Sequence, residues 1–500
     1  MDKNVKILIL SILIISICSV ILFTIMKKEK FSKNIELSEE YIVKTWEEHE
    51  SVNRPILLEG MSPIVFEEGK EEPVILDESQ MKEGIWYDYK IQEQDTSQGG
   101  TSKWANAISK DGSMWVWIPR YAYKITRIEG KAQGTIDIMF LNGNTNYNSQ
   151  NIDVTELEYT VHPAFKDGTK NNYNNGEWDQ EIQGIWVAKF EAGFAGQENT
   201  GSKNVQIKNT NLKFKRSFKN ILGNNVMDET YMTYPVFMGK TFSYNNLEIG
   251  EMYKLSASLT EKENPYGFNE EVDSHMMKNS EWGAITYLAH SKYGRNGTKV
   301  NINNINTSKA IYSAGPVTGY AGKEFNEKKY NIEVIDKEFQ DSYDDKSFAW
   351  YLKKGSLSST TGNLYGIYDM NGGCSEYMAG YLENIDNEVA GFYAEEMIKR
   401  NPKSTKYCTV YKSSKDEQSA ADIYNDNIDK YGEAIIETSK KGVGYRSWFN
   451  ENSLYTTSEA AFFLRGGEFD GVSYSGLFSY TNHSGHSFSS YGFRAVLIKK

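Results

Sequence analysis

A chain of 500 residues exceeds one average domain and admits two or three, or one large α+β domain with insertions. With 39% hydrophobic and 24% charged residues it has an ordinary globular mix, which excludes wholesale disorder. A formal net charge of −12 argues against nucleic acid as the main partner, and three cysteines exclude a disulfide-dense scaffold, a cysteine-only iron–sulfur cluster and a zinc site made of four cysteines.

The first element is a membrane segment. Ile7 to Met26 is an uncharged run of 20 residues, mostly Ile, Leu and Val, which fits a bilayer core of ~30 Å. The run ends in Met26-Lys27-Lys28 with no small-residue pair, and Ile17-Cys18 lacks the small residue that precedes a lipoprotein cysteine. An uncleaved anchor is expected. Lys3 and Lys6 precede it, while Lys27, Lys28, Lys30 and Lys33 follow, a count that favours a cytoplasmic C-terminal side. Against that count, an N-terminal anchor ahead of a large domain usually exports it. The expectation is a single-pass membrane protein with its large domain outside the cytoplasm. Residues 1–30 carry Lys3, Lys6, Lys27, Lys28 and Lys30 against Asp2 and Glu29, a net +3 that leaves −15 for the remainder.

Residues 31–99 read as a stalk and a lead-in to one domain spanning 100–500. Leu37, Tyr41, Ile42 and Trp46 have near-helical spacing within 34–52. Glu67 to Glu72 reads as a solvated loop, because it lacks the spaced Asp/Asn ladder and glycine of a calcium loop. Met114 to Ile125 predicts a strand with a bend or an edge at Pro119, and Gly184 to Gly193 a second strand. Asn279-Ser280 caps a predicted helix over Glu281–Tyr293 that Gly294 stops, and Ala420 to Ser439 predicts another. Phe462–Gly467 and Tyr491–Lys499 return to strands. With no internal repeat and no alternating βαβ units, the fold class is α+β.

Chemistry-bearing motifs are few. The sequence has no P-loop, G-x-G-x-x-G, H-E-x-x-H or G-x-S-x-G. Of the six histidines, His49, His162, His275, His290, His483 and His486, only the last two lie close together, and no nearby Cys or carboxylate completes a ligand set. No metal site is expected there. Cys374 and Cys408 form a disulfide or remain two separate buried thiols. Between Arg465-Gly466-Gly467 and Gly492-Phe493-Arg494 the chain is mostly Ser, Tyr, Gly, His, Asn, Asp and Thr, without Lys, Arg or Pro. That composition suits a recognition surface, with Tyr for rigid contact and Ser, Gly and Asn for adaptable hydrogen bonds. A polar, glycine-rich surface loop has the same composition, and the 34 tyrosines overall are also what the codon bias of an AT-rich genome yields.

Five motifs carry a resemblance. Asn279-Ser280-Glu281-Trp282, Gly366-Ile367-Tyr368-Asp369-Met370-Asn371-Gly372, Glu376-Tyr377, Leu464-Arg465-Gly466-Gly467 and Gly492-Phe493-Arg494 stand in order. Together they resemble the formylglycine-generating enzyme (sulfatase-modifying factor) family, whose pattern runs E-A-E-W, G-L-Y-D-M-x-G-N-V-W-E-W, R-G-G-S-W and G-F-R. The resemblance spans roughly residues 100–500 and implies a C-type-lectin-like fold with little regular secondary structure. The departures bear on activity. No cysteine lies between Arg465 and Arg494, where the enzymes carry a copper-binding pair, and the iron-binding set of two histidines and a glutamate in the ergothioneine-type oxygenases has no counterpart. The resemblance therefore implies no catalytic residue and no cofactor.

The ligand-binding variable proteins of diversity-generating retroelements, bacterial or phage, are the more similar branch. They too end in R-G-G, a Tyr/Ser/Asn/Asp-rich stretch and G-F-R. By position, the ligand-binding residues implied are Asp470, Tyr474, Tyr480, Asn482, His483, His486, Phe488 and Tyr491. Arg465 and Arg494, set among Gly466, Gly467, Gly492 and Phe493, are expected to be structural and to meet buried acceptors, with Glu376 a candidate partner. The expected function is a membrane-anchored, non-catalytic protein that binds a protein or glycan ligand and no nucleic acid. The alternatives are a metal-dependent oxidoreductase of the same family and a structural surface or envelope protein without a specific ligand.

Overall fold

The computed structural model describes residues 52–128, 133–168, 176–194, 211–219, 225–303, 316–321, 348–384, 406–415, 418–439, 446–469 and 474–500, with 386, 388, 389, 393, 395 and 397 singly. The expected anchor and, Val52 apart, the helix expected over 34–52 lie outside them. Among the described residues no helix is long and apolar enough to cross a membrane.

The architecture is α+β and mostly strand. The largest sheet has seven antiparallel strands in the order Val272–Met276, Ala495–Lys499, Gly184–Ala188, Met114–Pro119, Asn106–Ile108, Ser62–Val65 and Val74–Ile75. Two of its inner strands, Met114–Pro119 and Gly184–Ala188, are apolar throughout because both faces are covered, and every residue in them is buried. Pro119 ends its strand and pairs with Gly184. After Arg120 the chain resumes as Tyr121–Thr126 in a separate three-stranded sheet, so the expected bend is a change of sheet. The lead-in is not a stalk over its described length. Ser62–Val65 and Val74–Ile75 form one edge of the main sheet, and Trp86 and Tyr87 are core residues, so the domain is under way well before residue 100.

The helix Asn279–His290 is buried on all sides and runs through the core. It starts two residues earlier than predicted, because the Glu281 carboxylate accepts the Lys278 backbone N–H at 2.9 Å and closes the first turn. It ends at His290. The predicted stop, Gly294, acts just beyond: a Cβ there would stand 2.4 Å from the Ala289 carbonyl, so glycine alone lets the chain fold back across the helix end. The second helix is much shorter than predicted, Ala420–Asp426. Asn427 ends it by bonding through its amide to the Lys412 and Ile423 carbonyls, and the chain then turns through left-handed Gly432 and Ala434. Cys374 and Cys408 are both buried and not joined in a disulfide, and His162, His275 and His290 are core residues.

Candidate recognition surface

The C-terminal motifs meet in a four-stranded sheet ordered Gly476–His483, Phe462–Gly466, Ser375–Tyr377 and Tyr491–Gly492. Glu376 stands opposite Arg465 on one neighbour and Gly492 on the other. Gly466 and Gly467 follow with φ of +83° and +73°, a left-handed pair that only glycine adopts readily, and a Cβ on Gly466 would stand 3.1 Å from the Trp282 ring. The R-G-G motif is thus an irregular strand end, with the register shifting between a buried cation and its first glycine. Arg465 donates to the carbonyls of Ser479, Glu433, Ala434 and Leu477 and to Asn279 Oδ1 at 2.8–3.3 Å.

Arg494 is the second buried cation. Its Nη2 lies 2.6 Å from Glu376 Oε1, its Nε reaches both carboxylate oxygens at 3.1 and 3.2 Å, and its remaining donors bond the carbonyls of Ala188 and Tyr368 at 2.8 Å. It sits where the chain leaves Tyr491–Gly492 for Ala495–Lys499, so one guanidinium ties the four-stranded sheet to the seven-stranded one. Further inward, burial pushes the Glu191 carboxyl well up, with the Asp369 and Glu376 charges adding to it. Burial also pushes Asp369 up to about 6, with the Arg494 charge opposing the shift.

The expected ligand-binding residues divide into three groups. Asp470 lies outside the described residues. Tyr480 is a correction: it is fully buried opposite Arg465, with its ring against Phe463 at 6.2 Å and below the Arg465 guanidinium at 6.0 Å. It belongs to the core because Gly476–His483 is an outer strand covered on both sides along this stretch. Tyr474 is 59% exposed but isolated from the rest of the set. The register places Gly476 opposite Gly466 and His483 opposite Phe462, so the strand's ends stand roughly 13 Å apart and Tyr474 lies beyond the far one.

The others converge at the His483 end. His483 packs 4.7 Å from Tyr491 and 6.5 Å from His486, and Phe488 lies 5.2 Å from Tyr491, measured between ring centres. Two members were not among the expected ligand-binding residues. Tyr377 contacts His483 and Tyr491, and its hydroxyl lies 2.5 Å from His483 Nδ1 and donates to the His486 carbonyl at 3.0 Å; Tyr393 packs 4.9 Å from His486. The strand pleat offers a signal for Tyr377, since it turns away from the face where Glu376 meets Arg494. Asn482 spends its amide on the Tyr455 carbonyl and flanks the cluster. Phe488 is 54% exposed. Its loop is nonetheless pinned, because Gly485, Phe488 and Ser489 carbonyls accept from Ile249 N, Asn246 N and Asn245 Nδ2. Burial, and next the His486 charge, hold the His483 imidazole below its usual value. Among the described residues no group of three or more His, Cys, Asp or Glu side chains is arranged to hold a metal ion.

No family model and no curated protein matches the chain.

Beneath the sheet, Glu433 provides a test of the buried charges around Arg465. Burial pushes its carboxyl up to about 7 against the pull of Lys430, and its Oε1 accepts from Tyr411 at 3.0 Å. A folded-state value above the unfolded one contributes stability below the unfolded value, and that stability is lost as pH rises through about 7. Glu433→Gln has no such loss. Its stability relative to the parent protein is therefore expected to improve steadily from about pH 5 to about pH 8 in denaturant titrations, and a pH-independent difference would contradict the assignment.

Proposed function

We propose that the protein is a membrane-anchored, non-catalytic binding protein whose domain belongs with the C-type-lectin-like, formylglycine-enzyme-like fold, and whose ligand is a protein or a glycan. The anchor is Ile7–Met26 and the domain stands outside the cytoplasm. The observation that carries the reading is the ring cluster of Tyr377, His483, His486, Phe488 and Tyr491, with Phe488 half-exposed on a loop pinned at three carbonyls. An aromatic group held in place before contact loses little entropy on binding and supplies large contact area. The proposed surface is narrower than composition alone suggests: His483, His486, Phe488 and Tyr491, edged by Tyr377 and Asn482, without Tyr480.

The test is a binding screen of the full chain in detergent against glycan and cell-surface-protein arrays, followed by variants. Phe488→Ala with Tyr491→Ala is expected to weaken any specific hit by about 100-fold or more, while Tyr474→Ala leaves it within a few-fold. Binding that survives the double variant overturns the proposed surface.

A further inference from the structure

We propose that His483 sets the specificity of the aromatic surface: its imidazole is locked in one tautomer, and the outward Nε2 accepts a hydrogen bond from a ligand hydroxyl. The inference rests on that surface being where a ligand binds, and it narrows the chemistry that the surface takes. A hydroxyl carried beside a ring-sized apolar face fits, as a sugar or a tyrosine side chain offers. His483 ends the strand Gly476–His483, opposite Phe462, and is part-exposed.

The tautomer follows from the hydrogens available. Tyr377 is fully buried, and its hydroxyl has one hydrogen to give. That oxygen lies 3.0 Å from the His486 carbonyl, which can only accept, and 2.5 Å from His483 Nδ1. With the tyrosine hydrogen on the carbonyl, the Nδ1 contact is filled by an imidazole N–H donated to the phenol oxygen. Were the tyrosine to donate to Nδ1 instead, two oxygens would face each other with no hydrogen between them. The neutral ring therefore carries its hydrogen on Nδ1 and its lone pair on Nε2. Nε2 makes no hydrogen bond among the described residues, and it is not one of the buried atoms left without a partner, so it is open to solvent. Tyr377 acts through His483 and is a positioning residue.

The ring is also held in place. Tyr491 and Tyr377 meet it at steep angles, 4.7 and 6.0 Å between centres, and exposed Phe488 packs on Tyr491, one ring away. The titratable groups facing His483 are His486, Tyr377 and Tyr491; Glu468 acts on Tyr491, and Tyr393 packs on His486. Burial, and next the His486 charge, hold the imidazole below its usual 6.5, so Nε2 stays an acceptor at neutral pH. Acidification puts a hydrogen on Nε2 and turns the acceptor into a donor.

The experiment is heteronuclear NMR of the histidine rings in the full chain in detergent, with His483→Asn locating the His483 signals. At about pH 8 the parent protein is expected to carry a hydrogen on Nδ1 and none on Nε2, and Tyr377→Phe to lose that preference. A hydrogen on Nε2 in the parent, or an unchanged tautomer in Tyr377→Phe, overturns the acceptor; should that variant fail to fold, the parent's tautomer decides. Phenol, standing for a tyrosine side chain, and methyl β-glucopyranoside, standing for a sugar, are then titrated in. A saturable shift of the Nε2 signal with either supports the site and names the source of the hydroxyl, and none with both overturns it. Where phenol binds, anisole, the same ring without the O–H, is expected to bind about 3- to 10-fold more weakly, and equal binding overturns the site. The shifts are expected to fade toward about pH 5. Phe488→Ala tells the acceptor from the surface: shifts that persist in it at full size support the acceptor and count against the aromatic surface.

Discussion

Arg494→Met is expected to destabilise the domain by about 3–5 kcal/mol, read as a large fall in the denaturation midpoint. The substitution leaves the Glu376 carboxylate buried with no counter-charge, and burial already pushes that group up from its usual range. It also strips donors from the carbonyls of Ala188 and Tyr368. The double variant Glu376→Leu with Arg494→Leu removes both charges and is expected to regain part of the loss, since an apolar pair of similar volume can replace a buried ion pair. The recovery stays partial because the two carbonyls remain unpaired. A single variant as stable as the parent would show that the pair contributes nothing to the joint between the two sheets.

The second large effect separates Tyr480 from Tyr474. Tyr480→Ala is expected to cost about 3–5 kcal/mol, as for other large aromatic truncations in a core, because its ring fills space between Phe463 and Arg465. Tyr480→Phe keeps the ring and is expected to cost below about 1.5 kcal/mol. Tyr474→Ala, at a site 59% exposed, is expected to fall within about 0.5 kcal/mol of the parent. The three proteins differ by one residue each and are compared by the same urea titration. Equal midpoints for the two alanine variants would return Tyr480 to the surface.

These two tyrosines also mark what a sequence can tell. The R-G-G and G-F-R motifs are legible because their glycines answer backbone demands: two successive left-handed residues at Gly466 and Gly467, and close approach at Gly492, where a Cβ would stand 2.8 Å from the Cys374 Cβ. A buried Arg needs acceptors, so the sequence alone suffices to name Glu376 as a candidate partner for Arg465 or Arg494, and the fold gives it to Arg494. Composition, however, treats Glu468 to Tyr491 as one stretch, whereas its described residues include a strand, Gly476–His483, and the pinned loop that follows it. Which tyrosine faces in depends on what covers the strand, and that is set by residues far away along the chain. The same limit explains the helix predicted over Ala420–Ser439. Its apolar spacing continues past Asp426, but Asn427 is captured by Lys412 of a neighbouring strand, a competitor that local spacing does not reveal.

The position of Ala495–Lys499 has a consequence for the order of folding. Among the described strands, Val272–Met276 joins the main sheet only through that one, so it waits through more than 200 residues of synthesis for its neighbour there. Gly184–Ala188 waits longer for its second partner. Half-built, the sheet presents strand edges with nothing to pair, a state prone to aggregation and slow to resolve because the closing contacts are so distant along the chain. Production of this domain is thus governed by how long that opening lasts, and variants that stop short of Ala495 are expected to be lost before they fold.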